Sequence, residues 1–443
     1  MTIVDLAQQV VAQALKHGAS AADALVIDRS ELMLGLRKGV VDRLERAEAR
    51  EMGLRVFVGS SSATVCGSAL AEAALDQMAS RAVAMARLAP PDALAGLADS
   101  ALLARDVPDL DLLDPAPPDE GQLREMALAA EAAALAVPGV AQSDGAMASA
   151  SRRFVALATS SGFAAAYERC SSGFSVSAIA GTGTGMERDH AYSSACHAAD
   201  LRAAAEVGYE AGTRAVRRLN PRKVASQAVP VIFDRRISAS LLMHLASAIN
   251  GQTVATGGSF LKGERGKALF KPDVSIKDDA LKRRGQSSRP FDGEGLASRV
   301  TPIVSDGVLQ NFILDLRSAR QLGLAPTGHG ARGLASPPSP GITNLTLEKG
   351  TVPVADMIKS VSRGLLVTEL IGMGANVVTG DYSRGASGFW IENGEITYPV
   401  SEVTLAGNLR ALFAGLSPAD DLEFHGSVNA PSVLVEGLTL AGR

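Results

Sequence analysis

The chain has 443 residues, enough for two or three domains with substantial hydrophobic cores. Its 43 basic and 47 acidic residues give a net charge of −4, and 47% of its residues are hydrophobic, a balance typical of soluble globular proteins. These numbers exclude a disordered chain and a basic nucleic-acid-binding domain.

The cellular compartment follows from the cysteines and the start of the chain. Cys66, Cys170 and Cys196 are too few and too scattered for a disulfide framework. The first 18 residues lack the basic and apolar regions of a signal peptide, and no stretch approaches the roughly 18 apolar residues of a membrane span. We therefore expect a cytoplasmic protein whose partners include neither nucleic acid nor membrane.

The first elements along the chain read as a helix, several strands and a second helix. Apolar residues at helical spacing predict a helix over 3–15, which ends before Gly18. A second helix is expected over 72–88, because Pro90 and Pro91 forbid its continuation. The runs between these helices predict an antiparallel meander with strands at 24–27, 31–37, 40–48, 51–58 and 64–68.

The same order of elements is repeated before residue 220. A Pro- and Asp-rich stretch over 90–120 predicts a covering loop that Leu110, Leu112 and Leu113 anchor to the core. The helices and strands that follow suggest a duplicated plan of helix, strands and helix. We predict helices over 121–136 and 200–218, with strands at 154–159, 163–168 and 174–179 between them.

The turn at residues 220–223 suggests a domain boundary. We predict an N-terminal domain over 1–222, in which antiparallel strands are flanked by helices, and a mostly β C-terminal domain over 223–443. The C-terminal domain should begin with a buried strand at 230–233 and a helix at 237–249. Its strongest hairpin signal is Asn393-Gly394 between two apolar runs. The fold class is therefore α+β.

Three short motifs bear on nucleotide binding and serine chemistry. The glycine-rich segments at 181–185 and 263–267 have the wrong spacing for a dinucleotide or phosphate loop, so we reject nucleotide binding. Ser259 and Lys262 match a Ser-x-x-Lys pattern, but the other elements of that enzyme class are absent and the glycines before Ser259 favour a loop. A hydrolase that uses these two residues stays a weaker alternative.

The histidines give no complete metal motif. None of the six is followed by Glu, so the pairing of two helical histidines with a glutamate base is missing. The segment 187–197 is interpreted as a solvated loop leading into a helix, and the roles of its residues are left open. It holds metal-ligand types at a spacing that matches no zinc site: Glu187, Asp189, His190, Cys196 and His197. His244, on an apolar helix, is interpreted as a core histidine.

Several longer segments resemble the TldD/PmbA family, specifically its PmbA branch, also called TldE. The resemblance covers essentially the whole chain and is carried by LLMHLASAINGQ, GSFLKGERGKALF, SRPFDGEG, GDYSRGASGFWIENGEITYPVSEVTLAGNL and NAPSVLVEGLTLAG. It implies cytoplasmic metallopeptidases, built from paralogous subunits, that degrade or trim unfolded peptides. The family is linked to maturation of peptide-antibiotic precursors, to antitoxin turnover and, through older naming, to modulation of DNA gyrase.

The chain departs from the family's zinc motif. In the TldD branch a helix carries His-Glu-x-x-x-His and a downstream Cys completes the site, whereas the matching positions here are His244, Leu245 and Ile249, with no Cys after Cys196. The resemblance thus implies no catalytic and no metal-binding residues in this chain. Zinc is expected in a TldD-like partner subunit, in a heterodimer, although a homodimer stays open.

The expected function is that of a PmbA/TldE-like subunit that contributes to the substrate cavity and to assembly. The residues expected to line that cavity are Gly380, Asp381, Ser383, Arg384 and Gly385, although a tight turn between domains also explains them. Two alternatives remain, a non-enzymatic polypeptide-binding or regulatory protein and the Ser259/Lys262 hydrolase. Whether the chain is itself an enzyme is left undecided.

Overall fold

The structure is a computed structural model that describes residues 2–372 and 374–442. The helices in this part of the chain are α1 Ile3–Lys16, α2 Glu72–Leu88, α3 Glu120–Leu135, α4 Ala204–Arg217, α5 Arg235–Ala248, α6 Gly251–Ala255, α7 Leu316–Leu322, α8 Val354–Lys359 and α9 Leu409–Gly415. None of the helices described is long and apolar enough to cross a membrane.

The strands alternate with these helices in the first half and dominate the second half. They are β1 Ala21–Arg37, β2 Val40–Val58, β3 Ser61–Gly67, β4 Val140–Thr159, β5 Ala164–Ala180, β6 Glu187–Ala195, β7 Gln227–Phe233, β8 Ile276–Asp279, β9 Val300–Ser305, β10 Val308–Leu309, β11 Gly330–Ala331, β12 Ser339–Pro340, β13 Leu345–Leu347, β14 Arg363–Ile371, β15 Asp381–Glu392, β16 Glu395–Asn408, β17 Ser417–Pro418, β18 Val428–Asn429 and β19 Val433–Ala441. This content confirms the α+β class.

The first half is a duplicated unit joined through one sheet. The order of strands is β3-β2-β1-β4-β5-β6, so the two three-stranded halves meet where β1 pairs with β4 in antiparallel fashion. α1 and α2 share one apolar cluster with β1–β3, and α3 and α4 share another with β4–β6. The predicted plan of helix, strands and helix, repeated once, is confirmed.

The strands of this sheet are longer than predicted. β1 and β2 each run without a break where the sequence predicts two strands. The breaks were predicted because the middle residues of both strands are polar on both faces. The polar stretch of β2 is exposed from Asp42 to Glu48 and is held by its ladder with β1, not by an apolar face. Alternating hydrophobicity therefore marks only the strand ends that reach the core.

The prediction of a solvated loop over 187–195 was wrong, because these residues form β6 beside β5. Burial alternates along β6, but the inward positions are occupied by Asp189, Ala191 and Ser193. Small and charged residues at the buried positions hide the alternation that normally indicates a strand. The strand was not predicted because Asp189 occupies a buried position as the partner of Arg218 and Arg236, whereas buried strand positions are usually apolar.

The second half contains a closed sheet. β7 lies between β14, to which it is parallel, and β19, to which it is antiparallel; β15 and β16 extend the sheet, and β16 also pairs with β19. The predicted hairpin is confirmed, with Asn393 and Gly394 at φ 52° and 81°, the left-handed values that a two-residue turn requires. A second sheet, β10-β9-β8-β13-β18, shares the core with α5.

The covering loop joins the two halves of the molecule. Leu110 and Leu112 are buried against Cys196, as expected, whereas Leu113 is 39% exposed. Gly53 of β2 packs directly on the backbone of residue 334, where a side chain on Gly53 would lie 2.1 Å from the Leu334 carbonyl oxygen. The domain boundary at residue 222 stays a prediction.

A cluster of buried charges also lies at this contact. Asp23 and Arg55 face each other across β1 and β2, and Arg332 from the C-terminal half completes the cluster, with Nη1 at 2.6 Å from Asp23 Oδ1. The side chains of Asp23 and Arg332 are 1% and 0% exposed. Glu294 is buried nearby, and its Oε2 accepts a hydrogen bond of 2.8 Å from the Leu316 amide.

Glu294 is expected to make stability dependent on pH. Burial, followed by the negative charge of Asp292, raises the pKa of Glu294 to about 8 from its usual 4.5. The folded chain therefore keeps a proton that the unfolded chain releases, so this contribution to stability is complete below about pH 4.5 and is lost as the pH rises through about 8. The Glu294→Gln variant keeps a carbonyl acceptor for Leu316 but cannot titrate.

Urea denaturation at pH 5, 6, 7 and 8 tests this expectation. For the Glu294 proton alone, the free energy of unfolding should fall by at most about 1.4 kcal/mol per pH unit, and the fall should be shallower in Glu294→Gln. Glu48→Gln, on an exposed part of β2, is the control and should follow the unsubstituted chain. Parallel pH profiles for Glu294→Gln and the unsubstituted chain would contradict the prediction.

Candidate functional site

The degenerate zinc-motif positions lie on α5 and the residue that follows it. Asp234 caps this helix by accepting a hydrogen bond of 3.0 Å from the Arg236 amide. Leu245 and Ile249 are fully buried in the main apolar core of the C-terminal half. His244 is only partly buried and packs against Tyr382 of β15, with ring centroids 5.8 Å apart at 75°. The three positions thus point to different surroundings.

Three buried polar atoms without hydrogen-bond partners belong to His244 and two residues near it. His244 Nε2, Tyr382 Oη and Arg384 Nε are buried, and none has a hydrogen-bond partner among residues 2–372 and 374–442. Burial, followed by the positive charge of Arg384, lowers the pKa of His244, while burial raises the pKa of Tyr382 to about 12. Near neutral pH this group therefore consists of a neutral imidazole, a neutral phenol and one guanidinium, with hydrogen-bonding capacity that no described residue uses.

This arrangement does not fit a zinc ion. A catalytic zinc site needs three protein ligands and a group that activates water, but His244 is the sole ligand among the three motif positions. Leu245 and Ile249 offer only packed hydrocarbon, and no group of three His, Cys, Asp or Glu that could hold a metal occurs in the described part of the chain. We therefore assign no metal-dependent catalytic step to this chain.

The five predicted cavity residues divide between a turn and the two faces of β15. Arg384 lies on the same face of β15 as Tyr382, close enough to His244 to lower its pKa. Asp381 and Ser383 lie on the other face and are exposed. Gly380, at φ 81°, forms the turn that begins the strand. Their role as cavity residues stays a prediction, but β15 brings one of them to the zinc-motif helix.

Tyr382 is a site residue that sequence reasoning missed. It lies between Asp381 and Ser383, and the period of two along a strand would have placed it with Arg384 once that strand was paired in register. The sequence gives no sign that its face of β15 turns toward α5, because this contact joins elements more than 130 residues apart.

The geometry disfavours a Ser259/Lys262 hydrolase. Ser259 is 6% exposed, and its Oγ donates a 2.5 Å hydrogen bond to the Ala248 carbonyl while accepting one of 3.0 Å from the Leu261 amide. No hydrogen bond joins this hydroxyl to Lys262 in the described residues. A nucleophilic serine needs a base within hydrogen-bond reach and an exposed oxygen, and Ser259 has neither.

His190, Cys196 and His197 do not form a common site. Cys196 is buried, with its Sγ 3.5 Å from the Gly285 carbonyl oxygen, and burial raises the pKa of its thiol. His197 Nε2 lies 2.9 Å from the carbonyl oxygen of Asp111. The His190 backbone carbonyl accepts a hydrogen bond from Arg214. Cys196 and His197 hold the covering loop and the C-terminal half, which is a structural task.

Family models match three consecutive parts of the chain. Residues 22–86 match the PmbA/TldA metallopeptidase domain 1, residues 113–219 match the central domain of the same family, and residues 226–442 match its C-terminal domain. Together these matches cover most of the sequence, including both halves of the structure.

Curated relatives and solved structures agree with this match. The chain is 34% identical to the metalloprotease PmbA of Escherichia coli O157:H7, over 98% of this chain and 96% of that protein. The metalloprotease PmbA homolog of Haemophilus influenzae is also 34% identical, over 97% and 94% of the two chains. A crystal structure from Bacteroides thetaiotaomicron, described as a candidate modulator of DNA gyrase, superposes with a TM-score of 0.91 at 28% identity, over 99% and 98% of the two chains.

A structure of TldE from Thermococcus kodakarensis shares the fold at a TM-score of 0.86, with 19% identity, over 99% of this chain and 100% of that one. A TldD homolog from Haemophilus influenzae is 30% identical over a shorter stretch, which covers 38% of this chain and 36% of that protein. The likeness therefore extends over the full length for PmbA and over a part for TldD.

Proposed function

The chain belongs to the PmbA/TldD metallopeptidase family, and we propose that it acts as the PmbA/TldE-type subunit of a two-subunit zinc peptidase that trims unfolded peptides. A TldD-like subunit supplies the zinc and the catalytic carboxylate. This chain supplies part of the substrate cavity and the surface for assembly. The pair works in the cytoplasm on extended peptides, including precursors of peptide antibiotics and antitoxins.

The observation that carries this proposal is the burial of Leu245 and Ile249. Both side chains are 0% exposed, so the two motif positions serve the apolar core and cannot reach a shared metal ion. Core residues at the positions of the catalytic Glu and of a His ligand remove catalysis while they keep the helix in place. A chain that retains the family fold over 99% of its length but lacks these two groups is suited to a supporting role.

The group of His244, Tyr382 and Arg384 is the part of this chain that we assign to the substrate. Its polar atoms are buried and have no partner in the described residues, so a shift of the surrounding side chains would expose them to the main chain of an extended peptide. Main-chain recognition is indifferent to side-chain identity, which suits a peptidase that accepts many unfolded sequences. Asp381, Ser383 and Gly385 lie on the opposite face of β15 from this group, and Gly380 forms the turn before the strand.

Hydrolysis of a casein-derived peptide mixture tests the proposal. The chain alone, stripped of metal and then supplied with Zn²⁺, should cleave no faster than buffer and should retain no stoichiometric zinc after desalting. Mixing with a TldD-like subunit from the same organism should raise the rate at least about 100-fold over this chain alone, because a complete general base and metal are then present. Metal analysis of the mixed complex should find its zinc on the TldD-like subunit.

The TldD-like subunit alone is the matched control and should be slower than the pair. Zinc-dependent cleavage by this chain alone would overturn the proposal. If the pair is no faster than the TldD-like subunit, the chain does not contribute to peptidase activity. The favoured function then becomes that of a non-enzymatic polypeptide-binding protein, which the absence of the Glu and second His positions also fits.

A further inference from the structure

A small cavity in the C-terminal half is lined by apolar residues and two arginines. Its volume is about 270 Å³, and its walls come from 300–302 of β9, from the stretch 311–314 that precedes α7 and from 324–327 that follows α7. Arg265 and Arg299 complete the lining, and we call this feature the two-arginine cavity. None of the twelve described residues that line it is Asp or Glu.

Backbone carbonyls hold the two arginines in place. Arg299 Nε and Nη2 donate hydrogen bonds to the carbonyl oxygens of Thr327 and Pro326, at 3.2 and 2.5 Å. Arg265 Nε donates one of 2.8 Å to the Gln310 carbonyl. Neither guanidinium has a carboxylate partner in the described part of the chain. A carbonyl oxygen positions a guanidinium without neutralising it, so both arginines keep their charge and further N–H donors for a ligand.

Acidic residues in the neighbourhood are paired with other groups. Glu264, beside the cavity in sequence, has its carboxylate oxygens 3.4 Å from Lys267 Nζ and 3.2 Å from Arg410 Nη1. Asp278 of β8, the strand next to β9, is fully buried and lies 3.2 Å from His329 Nε2. Neither acidic residue lines the cavity. The positive charge of its walls is therefore not balanced by a carboxylate in those walls.

The other walls combine apolar side chains with one unsatisfied hydroxyl. Pro302, Phe312, Leu314 and Leu324 line the cavity and can cover an apolar group of a ligand. Thr301 is 4% exposed, and its hydroxyl has no hydrogen-bond partner among the described residues. Buried hydroxyls are normally satisfied, if not by protein then by a water or a ligand atom. A small shift of the wall would bring this hydroxyl to a ligand oxygen.

We propose that the two-arginine cavity binds a single carboxylate carried on an apolar group of about the size of one amino-acid side chain. Arginine presents its donors in a planar fork that matches a carboxylate with two hydrogen bonds. The volume lies just below the range of about 300–1,000 Å³ that is usual for drug-sized ligands, which suits a smaller molecule. The C-terminal residue of a peptide and a free monocarboxylic acid share this chemistry. Binding needs this chain alone, so it does not depend on the proposed peptidase role.

Ligand-detected NMR titration with N-acetyl-leucine tests the site, with N-acetyl-leucinamide and N-acetyl-glycine as comparison probes. The amide lacks the negative charge, and the glycine derivative lacks the apolar side chain. We expect N-acetyl-leucine to bind at least about tenfold more tightly than either, because charged hydrogen bonds and apolar burial both contribute. Its affinity should fall as the salt concentration rises from about 50 to about 300 mM, because the contacts with the carboxylate are ionic.

Substitutions at the rim separate charge from shape. Ala325→Asp places a carboxylate beside the arginines at an exposed position of the lining and should weaken binding of N-acetyl-leucine at least about tenfold. Ala325→Asn has the same shape without the charge and should bind as the unsubstituted chain does. Arg265→Gln and Arg299→Gln should each weaken binding about tenfold, whereas Arg81→Gln on the exposed face of α2 should not. Circular dichroism checks that each variant is folded.

The proposal is overturned if Ala325→Asp and Ala325→Asn bind N-acetyl-leucine equally well, or if N-acetyl-leucinamide binds as tightly as the acid. It is also overturned if inorganic phosphate competes with equal affinity, since the cavity would then recognise any oxyanion. An acetylated tripeptide that ends in leucine and free 4-methylpentanoate distinguish the two sources of the carboxylate. Tighter binding of the tripeptide assigns the cavity to peptide C-termini, and tighter binding of the free acid assigns it to monocarboxylic acids; either result supports carboxylate recognition.

Discussion

Leu245→Glu should lower the free energy of unfolding of the isolated chain by about 5 kcal/mol or more, and it should not create a peptidase. The side chain of Leu245 is fully buried in the apolar core, so the substitution removes packed hydrocarbon and places an uncompensated carboxylate there. Natural domains are stable by about 5–15 kcal/mol, so much of the chain is expected to be unfolded. Urea denaturation followed by circular dichroism measures the loss.

Met243→Glu is the matched control for this substitution. It introduces the same carboxylate into α5, but at a position that is 46% exposed, and its effect should stay within about 0.5 kcal/mol. Leu245→Met conserves volume and should cost less than about 1.5 kcal/mol. A Leu245→Glu variant as stable as Met243→Glu would show that α5 can rotate this position out of the core. The assignment of a lost zinc site would then fail.

The same reasoning applies to rebuilding the whole motif. The double variant Leu245→Glu/Ile249→His would restore the TldD-type pattern in sequence, but both new polar groups would enter the apolar core. No downstream cysteine exists to complete the ligand set. Loss of the zinc site is therefore built into the packing of this chain and would not be reversed by the two substitutions alone.

Asp23→Asn should destabilise the chain by about 3–5 kcal/mol. Asp23 is the carboxylate between Arg55 and Arg332, and its neutralisation removes the one anion that pairs directly with both buried guanidinium groups in the described residues. Asparagine has nearly the same shape as aspartate, so the change tests charge more than packing. The measurement is again the free energy of unfolding from urea denaturation at pH 7.

Asp28→Asn provides a control on the same strand. Asp28 and Arg50 face each other across β1 and β2 as Asp23 and Arg55 do, but their side chains are 33% and 50% exposed. Solvent screens that pair, so its loss should cost less than about 1 kcal/mol. Equal effects of Asp23→Asn and Asp28→Asn would contradict the prediction that burial makes the Asp23 ion pairs more important to stability than the exposed Asp28 pair.

One segment that carries the family resemblance lies next to the buried cluster. The segment SRPFDGEG contributes Asp292 and Glu294, which are 2% and 4% exposed at the contact between the two halves. Asp292 accepts hydrogen bonds from the amides of Glu294 and Leu296. Carboxylates in a family motif suggest catalysis when only the sequence is known, but in this structure their contacts shape a loop beneath the N-terminal sheet.

Much of the architecture was accessible from the sequence because it depends on local patterns. The bounds of α2 match the prediction, and Asn393-Gly394 forms the expected hairpin, since proline stops and left-handed turns act within a few residues. The continuity of β1 and β2 through their polar middles and the whole of β6 were missed. Their residues are stabilised by ladder hydrogen bonds and ion pairs to other strands and helices, which leave no hydrophobic periodicity to detect.

The sequence by itself determined the family and the absence of two zinc-motif side chains, because residue identity at 245 and 249 decides which chemistry is possible there. Only the tertiary structure decided that Arg384 and Tyr382 meet His244 and that Asp23 meets Arg332. It alone brought arginines of α4 and α5 to the walls of one cavity. Such groupings depend on how whole elements dock, and docking brings together residues that no local periodicity relates.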